Sequence, residues 1–536
     1  MTQLLQNYAS GHAERQSTRA ALVLGDEQVT YGELESRSNS LARLLMDTGC
    51  SRGDRVALLT SKSPDAVVAM HAVLKADCAY VPIDVTTPPP RAAKVLSAAQ
   101  PTLLLIDATA ESLVDGLLAE ATTEPIPIAF LGDESGSDEM SPLFTRGDAN
   151  AYADGPLTYA NREDDIAHIL FTSGSTGAPK GVPITHSNVS HFVEWAVRYF
   201  GIASGDRTSG HPPLHFDLST FDIFGTLLAG AELHLVPADL NLQPRKLADF
   251  IRDSRLNQWF SVPSTLTLMS KFDALAGMEL PDLRRVLWCG EVLPTPTLIY
   301  WMEHLPDVTF TNLYGPTEAT IASSYYTMPS CPQSDTEPIP IGVACEGEEL
   351  LVLDARLQPA PQGDIFISGV GLSPGYWHDP SKTAEAFVPH PRAQEPGARL
   401  YRTGDLGRVE DGLVYFLGRA DSQIKSRGYR IELGEIEAAL NALEELKESA
   451  VVGVRTAGFE GVAICCAYAP KPGASIDPPG LRERLGGQLP SYMLPARWLT
   501  LDELPKNVNG KIDRNWVREQ FESMELDRQA RQAVST

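Results

Sequence analysis

The chain has 536 residues, a formal net charge of −25, and 43% hydrophobic against 21% charged residues. Its length and composition are typical of a soluble protein with more than one domain, and its charge argues against nucleic acid or an anionic membrane as a partner. The apolar runs are too short to span a bilayer, the N-terminus lacks a signal-peptide pattern, and the seven scattered cysteines form neither a zinc nor a disulfide motif, so a cytoplasmic protein is expected.

The first 420 residues alternate helical and strand patterns. Thr30 and Glu33 predict a capping box at the start of a helix over Leu34–Met46. Short apolar strands are predicted at Arg55–Leu59, Ala79–Ile83, Leu103–Ile106 and Pro127–Leu131. This alternation predicts α/β layers with largely parallel sheets. The polar, acidic stretch Gly132–Pro156 has no periodicity and predicts a surface loop.

The stretch Leu170–Val182, LFTSGSTGAPKGV, joins a short apolar run to a loop of small residues. Small residues let backbone N–H groups and hydroxyls close around a phosphate, and Lys180 supplies a positive charge. Pro179 stands where a P-loop has its second glycine, so the motif is not a P-loop. The stretch therefore indicates a nucleotide phosphate site of another kind, and a plain flexible loop is the alternative.

A second unit is predicted after a break at Gly418–Asp421. Residues 411–419 predict a hairpin, residues 422–430 a basic turn, Ile436–Glu448 a helix, and Ala450–Val454 with Val462–Ala469 two strands. Residues 422–536 carry 15 basic and 16 acidic residues, so almost all of the net negative charge lies in residues 1–421. We expect an acidic partner to meet less repulsion at this small α+β unit.

Taken in chain order, ten motifs resemble those of the adenylate-forming superfamily, most closely the amino-acid adenylation enzymes of nonribosomal peptide synthesis. They are Thr30–Leu34, Leu74–Asp84, Leu170–Val182, Phe216–Ser219, Asn312–Glu318, Gly363–Trp377, Tyr401–Asp405, Gly418–Glu437, Leu489–Pro495 and Asn509–Arg514. The resemblance implies a large N-terminal domain, residues 1–420, of layered α/β subdomains with a small β-barrel. It also implies a small mobile C-terminal α+β domain, residues 421–536, with a hinge near Asp421.

The resemblance implies that ATP and Mg²⁺ activate a carboxylate as an acyl adenylate, with pyrophosphate released. It places the Thr172–Lys180 loop over the pyrophosphate, Glu318 on Mg²⁺, Asp405 on the ribose hydroxyls, and Lys511 beside the substrate carboxylate and the α-phosphate. Thr172, Lys180, Glu318 and Lys511 are the candidate catalytic residues. The candidate nucleotide-binding residues are Thr172, Ser173, Gly174, Ser175, Thr176, Gly177, Lys180, Asn312, Tyr314, Gly315, Thr317, Asp405, Arg419 and Lys511.

Asp217 is the main clue to the substrate, because in the family an acid at this position pairs with the α-ammonium group of an amino acid. A helix N-cap for Leu218–Leu228 is the alternative role for Asp217. By motif offset the pocket is completed by Leu218, Phe221, Ser261, Leu287, Cys289, Gly290, Leu313, Ile321 and Ala322. These residues carry no charge and several are bulky, which predicts a small neutral α-amino acid: alanine first, then serine, glycine or cysteine.

The resemblance assigns Gly428 to the thiolation step, in which a phosphopantetheine thiol takes the activated amino acid. Only 22 residues follow Arg514, so we expect the carrier protein to be a separate chain, as in antibiotic-type biosynthesis. Three other functions stay open at this point: a β-amino-acid ligase, an aryl- or acyl-coenzyme A ligase with the same adenylate chemistry, and an inactive adenylate-binding regulator.

Overall fold

The structure is a computed structural model that describes residues 4–120, 126–132, 141–174, 178–392, 397–421, 423–456, 458, 461–474, 476–506 and 512–535. The described residues form the layered α/β architecture with an additional small α+β unit that the sequence predicts. We call the described residues from Gln423 onward the lid. None of the described helices is both long and apolar enough to cross a bilayer.

The elements of the first 185 residues are α1 (Asn7–Gln16), β1 (Ala20–Leu24), β2 (Glu27–Thr30), α2 (Tyr31–Asp47), β3 (Arg55–Leu59), α3 (Pro64–Lys75), β4 (Ala79–Ile83), α4 (Pro89–Ala99), β5 (Leu103–Ile106), α5 (Glu111–Glu120), β6 (Ile128–Phe130), α6 (Arg146–Ala149), β7 (Ile166–Thr172) and β8 (Lys180–Thr185). Six of these strands form a sheet in the order β6-β5-β3-β4-β7-β8. The sheet is parallel except for the antiparallel β7–β8 pair, which places Lys180 opposite Thr172.

The next elements are α7 (His186–Phe200), β9 (Arg207–Gly210), α8 (Asp217–Ala229), β10 (Glu232–Leu235), α9 (Pro244–Asp253), β11 (Gln258–Ser261), α10 (Pro263–Lys271), β12 (Arg285–Cys289), α11 (Thr295–His304), β13 (Thr309–Tyr314), β14 (Ser324–Thr327) and β15 (Val343–Ala344). The strands β9–β15 form a nine-stranded mixed sheet with β1 and β2, in the order β15-β14-β13-β12-β11-β9-β10-β1-β2. One continuous apolar core joins both large sheets to the helices α2, α3, α7 and α8.

The remaining part of the large unit is antiparallel and consists of β16 (Glu348–Leu353), β17 (Gln362–Gly369), α12 (Pro380–Ala386), β18 (Phe387–Pro389), β19 (Arg399–Glu410) and β20 (Leu413–Arg419). Its five strands form one sheet, in which β19 pairs with β17, β18 and β20. The predicted hairpin over 411–419 is confirmed, because β19 and β20 pair across the Asp411–Gly412 turn.

The lid consists of β21 (Gln423–Ser426), β22 (Tyr429–Glu432), α13 (Leu433–Asn441), β23 (Leu446–Arg455), β24 (Val462–Pro470), α14 (Pro478–Gly486), β25 (Arg497–Thr500) and α15 (Arg514–Ser535). The strands β21 and β22 form a hairpin, and β23, β24 and β25 form a separate three-stranded sheet. The lid has apolar cores of its own, one on each face of this sheet.

Two local predictions are corrected by the structure. The predicted helix over Ile436–Glu448 is wrong at its C-terminal end, because α13 ends at Asn441 and residues from Leu446 onward pair with β24. In the predicted loop Gly132–Pro156, residues 133–140 lie outside the described residues, and the described remainder contains a helical turn, α6, which begins with a Thr145–Asp148 capping box. The capping box of Thr30 and Glu33 is confirmed at the start of α2.

Four buried histidines make the fold sensitive to acid. Burial lowers the pKa of His71, His168 and His211 to about 3 and that of His186 to about 4, well below the ordinary value of 6.5. Between these values the unfolded chain binds more protons than the folded chain, so the stability that each neutral histidine contributes is present above pH 6.5 and is lost as the pH falls.

The variant His71→Leu isolates one of these histidines. Wild-type protein should lose about 1.4 kcal/mol of unfolding free energy through His71 between pH 7.5 and pH 5.5, and the variant should lack this share. Denaturant unfolding at both pH values measures the difference. An equal pH dependence in the two proteins would show that His71 takes up a proton in the folded state.

Candidate active site

A cleft lies between the large unit and the lid. It encloses about 860 Å³ of empty space, part of which is open to solvent. The carboxyl ends of β7, β12 and β13 and the first turn of α8 face the lid hairpin β21–β22 across this cleft. The residues that line the cleft and that the sequence singled out are Thr172, Ser173, Asp217, Leu218, Cys289, Gly290, Gly315, Thr317, Ile321, Asp405, Arg419 and Gly428.

The phosphate loop contacts the lid directly. The Ser173 hydroxyl donates to the carbonyl of Arg430 at 2.6 Å and accepts from the backbone N–H of Glu432 at 3.2 Å. The Lys180 ammonium lies 3.7 Å from the Glu432 carboxylate, and the buried Thr172 hydroxyl has no hydrogen-bond partner among the described residues. Lid groups therefore hold Ser173 and Lys180 in this lid orientation, whereas the Thr172 hydroxyl is available to a ligand.

Glycine is required next to these groups. A Cβ on Gly174 would lie 2.0 Å from the carbonyl oxygen of Ala178, so any other residue at this position would have to move the backbone. The candidate residues Ser175, Thr176, Gly177 and Lys511 lie outside the described residues, so their roles stay predictions.

Glu318 is a fully buried carboxylate at the edge of the cleft. The Tyr376 hydroxyl donates to its Oε1 at 2.7 Å, and Arg430 Nη1 from the lid lies 2.5 Å from its Oε2. Burial raises the pKa of Glu318, but the charges of Arg430 and Lys180 and the Tyr376 hydrogen bond outweigh it and lower that pKa to about 2. Glu318 is therefore ionised at every physiological pH.

The donor set fits one kind of metal ion. No group of three His, Cys, Asp or Glu side chains in the described ranges could hold a metal by itself. Mg²⁺ in nucleotide enzymes takes one or two carboxylates and completes its shell with phosphate oxygens and water. The single ionised carboxylate of Glu318 fits such a nucleotide-bound Mg²⁺, provided that Arg430 first leaves Oε2.

Asp405 lies opposite Arg419 on the paired strands β19 and β20. Arg419 Nη1 contacts its Oδ1 at 2.5 Å, and the Tyr314 hydroxyl donates to its Oδ2 at 2.6 Å. Each carboxylate oxygen still has a lone pair free, so Asp405 can accept hydrogen bonds from two ribose hydroxyls. Arg419 also binds Asp421, the predicted hinge residue, at 2.8 and 2.7 Å. The side chain of Asn312 faces elsewhere and donates to the Pro340 carbonyl.

Asp217 is the first residue of α8, and Phe216 occupies the cap position, so Asp217 is not the N-cap residue of this helix. The Asp217 carboxyl lines the cleft with Leu218, Cys289 and Ile321. Burial raises its pKa to about 6, although a hydrogen bond with Thr317 opposes this shift. A buried acid without a cationic partner in contact can accept an ammonium group.

The other predicted pocket residues lie behind this wall and are buried: Phe221, Ser261, Leu287, Leu313 and Ala322. The Phe221 ring packs edge-on against Phe192 and Phe260, and the Ser261 hydroxyl accepts from Trp259 Nε1 at 3.0 Å. Phe221, Leu287, Leu313 and Ala322 belong to the same apolar core as Leu218, Cys289 and Ile321, so they form a closed floor behind the residues that line the cleft.

Gly428 approaches the large unit so closely that only glycine fits. Its φ is +80°, and a Cβ there would lie 2.6 Å from Val262 Cγ1. The backbone of the β21–β22 turn therefore forms part of the cleft wall without a side chain, which leaves a path for a narrow ligand.

Sequence reasoning missed several residues of the cleft. They are Arg91, His215, Lys425, Tyr429, Arg430 and Tyr492. Lys425 and Arg430 belong to the basic turn that the sequence showed, but only the fold brings them to Tyr314 and Glu318. Arg91, from α4, forms a buried ion pair with Glu435 of the lid, and nothing in its sequence surroundings indicates this.

The ionised Glu318, the loop lysine Lys180 and Asp405 all belong to the large unit, and Arg430 and Glu432 of the lid contact the first two. Carboxylates and a lysine grouped in this way beside a cleft are typical of an enzyme that binds a nucleotide. A carboxyl that can take up an ammonium group, Asp217, lies in the same cleft.

Comparisons with known proteins identify the family. The model of the AMP-binding enzyme family matches residues 10–377, and that of the AMP-binding enzyme C-terminal domain matches residues 435–511. The chain therefore belongs to the AMP-binding enzymes, and within them it is a ligase of the nonribosomal-peptide-synthetase adenylation type. Enzymes of this family use ATP with Mg²⁺.

Three similar proteins support this assignment. The L-proline--[L-prolyl-carrier protein] ligase of Streptomyces coelicolor is 37% identical over 511 residues, which are 93% of each chain. Tyrocidine synthase 2 of Brevibacillus parabrevis is 33% identical over 96% of this chain, which spans 13% of that protein's length. The adenylation domain AlmE of Vibrio cholerae, solved with glycyl-adenosine-5'-phosphate, superposes with a TM-score of 0.84 at 27% identity, covering 97% of this chain and 98% of AlmE.

Proposed function

We propose that the chain activates a small neutral α-amino acid as an aminoacyl-AMP and transfers it to the phosphopantetheine thiol of a separate carrier protein. The observation that carries the proposal is the Asp217 carboxyl, which lines the same cleft as Asp405 and the phosphate loop. An amino acid whose ammonium group pairs with Asp217 would present its carboxylate toward the nucleotide.

The closed pocket floor favours a small side chain. Phe221 is buried beneath the wall that Leu218, Cys289 and Ile321 form, and none of these groups carries a charge. A bulky side chain would have to displace the core, and these three wall residues would offer a charged one no counter-ion. We therefore favour alanine, with serine, glycine and cysteine as alternatives; the glycyl adenylate bound to AlmE supports a substrate of this size.

Proline is a second candidate. The Streptomyces coelicolor relative that matches 93% of each chain is named for L-proline. The ring of proline is apolar and compact, and its protonated secondary amine can also pair with Asp217. The apolar side chains of Leu218 and Ile321 suit such a ring.

Each of these residues would have a separate role in the reaction. Bound Mg²⁺ would neutralise phosphate charge at Glu318. Asp217 would orient the amino acid, Asp405 would hold the ribose, and Lys180 would hold the departing pyrophosphate. Lys511, by resemblance, would offset the repulsion between the substrate carboxylate and the α-phosphate. Activation then depends on positioning and charge neutralisation rather than on a covalent enzyme intermediate.

Transfer to a carrier needs a path for the pantetheine arm, and the turn at Gly428 supplies a wall without a side chain. We propose that the carrier docks from the side of the lid, whose charge is nearly balanced, while the large unit bears almost all of the negative charge. A β-amino-acid ligase and an aryl- or acyl-coenzyme A ligase, which use the same adenylate chemistry, are the alternatives that the assay must separate.

Amino-acid-dependent exchange of labelled pyrophosphate into ATP tests the substrate class. We expect kcat/KM to be highest for alanine, for another small α-amino acid or for proline, and at least about tenfold lower for phenylalanine and aspartate. A lead for phenylalanine or aspartate would contradict the small neutral pocket. Exchange only with β-alanine would favour the β-amino-acid ligase, and exchange with none of the acids would contradict the proposed activation of an amino acid.

The pKa of Asp217 predicts a pH dependence of this reaction. In the amino-acid-free enzyme that pKa is raised to about 6. Below pH 6 the carboxyl is increasingly protonated and cannot pair with an ammonium group, so kcat/KM for the amino acid should fall up to about tenfold per pH unit and should be flat above pH 7. Exchange rates from pH 5 to pH 8 measure this, and a profile that stays flat down to pH 5 would contradict it.

A further inference from the structure

The turn that follows Glu318 has a strained backbone. Thr320 and Ile321 are consecutive β-branched residues with φ of +57° and +69°. Such residues rarely adopt this conformation, which is strained and persists only where the surrounding structure enforces it. The turn begins at the carboxylate that fits Mg²⁺ and ends at Ile321, which lines the amino-acid side of the cleft. Its shape therefore sets the spacing between the two halves of the site.

Hydrogen bonds from one loop hold this turn. The Thr320 hydroxyl donates to the Gly371 carbonyl at 2.7 Å, and the Ser373 N–H donates to the Glu318 carbonyl at 2.9 Å. Both partners lie in the loop after β17. The strained turn thus keeps its conformation only while this loop keeps its place.

A buried carboxyl fixes the loop in turn. Glu348, on β16, accepts from the Gly371 N–H through Oε1 at 2.7 Å, and its side chain is only 3% exposed. Its Oε2 has no hydrogen-bond partner in the described part of the chain, and His191 Nε2 lies 3.5 Å from Oε1. No lysine or arginine forms an ion pair with Glu348 among the described residues. A buried acid without a cation is costly for stability, so its contact with Gly371 calls for a functional explanation.

We infer that Glu348 is a positioning residue of the adenylation site: through Gly371 and Thr320 it holds the turn that presents Glu318 to Mg²⁺ and Ile321 to the amino acid. The inference rests on the proposed function of the site and goes beyond it, because Glu348 does not line the cleft. Burial raises the pKa of Glu348 to about 8, so the carboxyl is largely neutral at pH 7. Glutamine therefore keeps both its charge state and its acceptor, whereas alanine removes the acceptor.

The test compares Glu348→Ala, Glu348→Gln and Thr320→Val, with Glu349→Ala as the matched control. Glu349 lies next to Glu348 on the opposite, exposed face of β16 and contacts His390. Calorimetric titration with ATP, with and without Mg²⁺, gives the dissociation constants, and thermal unfolding shows which variants are folded. A role confined to stability would lower the melting temperature and leave the affinity of the folded protein unchanged.

We expect Glu348→Ala to weaken the binding of Mg·ATP about tenfold and that of Mg²⁺-free ATP much less, because Glu318 is displaced. Glu348→Gln and Glu349→Ala should stay within about twofold of wild type, and Thr320→Val should follow Glu348→Ala. If Glu348→Ala does not fold, the Mg·ATP affinity of Thr320→Val tests the inference by itself.

Wild-type affinities in Glu348→Ala and Thr320→Val, or an equal loss in Glu348→Gln, would overturn the inference. A failure of the proposed amino-acid specificity would appear in pyrophosphate exchange and would leave this titration valid.

Discussion

Asp217→Asn should reduce kcat/KM for alanine in pyrophosphate exchange roughly 100- to 1,000-fold, while the KM for Mg·ATP stays within about twofold. Asparagine keeps the shape of the side chain but removes the charge that pairs with the substrate's ammonium group. Breaking one side of a buried ion pair costs about 3–5 kcal/mol, because the remaining charge loses its partner in a place where water cannot replace it.

The substrate supplies the control for this variant. Propionate has the size of alanine without the amine, so the wild-type enzyme should strongly prefer alanine and Asp217→Asn should lose most of that preference. The variant should also lose the fall in kcat/KM below pH 6. A rate within about threefold of wild type with alanine would remove Asp217 from amine recognition.

Arg430→Ala should separate the two half-reactions. Arg430 Nη1 lies 2.5 Å from Glu318 Oε2 in the described lid orientation, so the arginine occupies the carboxylate that fits Mg²⁺. Removing the arginine side chain destabilises this lid orientation relative to one in which Arg430 does not contact Glu318. Gly428, which the resemblance assigns to thiolation, lines the cleft in this orientation, so we propose that this is the orientation for transfer. We therefore expect aminoacyl transfer to pantetheine to fall roughly 10- to 100-fold and pyrophosphate exchange to stay within about threefold.

Two further variants sharpen this prediction. Glu435→Gln weakens the buried Arg91–Glu435 pair, which holds the same lid orientation without touching Glu318, and should shift the two rates in the same direction. Arg514→Ala removes an exposed ion pair with Glu437 inside the lid and should change neither rate. Single-turnover transfer from preformed aminoacyl-AMP measures the second step. An equal fall of both steps in Arg430→Ala would instead make Arg430 a nucleotide-binding residue.

The local parts of the fold follow from the sequence because their determinants are close in the chain. The capping box of Thr30 and Glu33 needs only residues three positions apart, and the strand β3 matches its predicted bounds, Arg55–Leu59. The end of α13 could not be predicted in this way. Residues from Leu446 onward pair with β24 across the sheet, and this nonlocal pairing outweighs the helical pattern that runs on to Glu448.

The residues of the site also divide into those that a local motif reveals and those that only the fold brings together. Its motif residues lie at strand ends and turns, where one segment fixes both identity and position, so Asp217, Asp405 and Gly428 could be singled out from the sequence and lie in one cleft. The pairs Arg91–Glu435 and Arg430–Glu318 join residues 344 and 112 positions apart. They depend on the orientation of the lid, which no spacing in the sequence encodes.

The role of Glu348 was hidden for a related reason. It acts through a backbone N–H and a hydroxyl, neither of which leaves a sequence pattern. Only the positive φ values of Thr320 and Ile321, together with the burial of an acid that no described lysine or arginine pairs with, point to this proposed role.

The most direct measurement for the whole account is pyrophosphate exchange by the wild-type enzyme with four acids side by side: alanine, propionate, β-alanine and benzoate. We expect exchange with alanine, at least about 100-fold slower exchange with propionate, and little exchange with β-alanine and benzoate. The reason is that the proposed recognition depends on an α-ammonium group at Asp217. Exchange with propionate or benzoate that equals or exceeds that with alanine would contradict the assignment of an amino acid as the substrate.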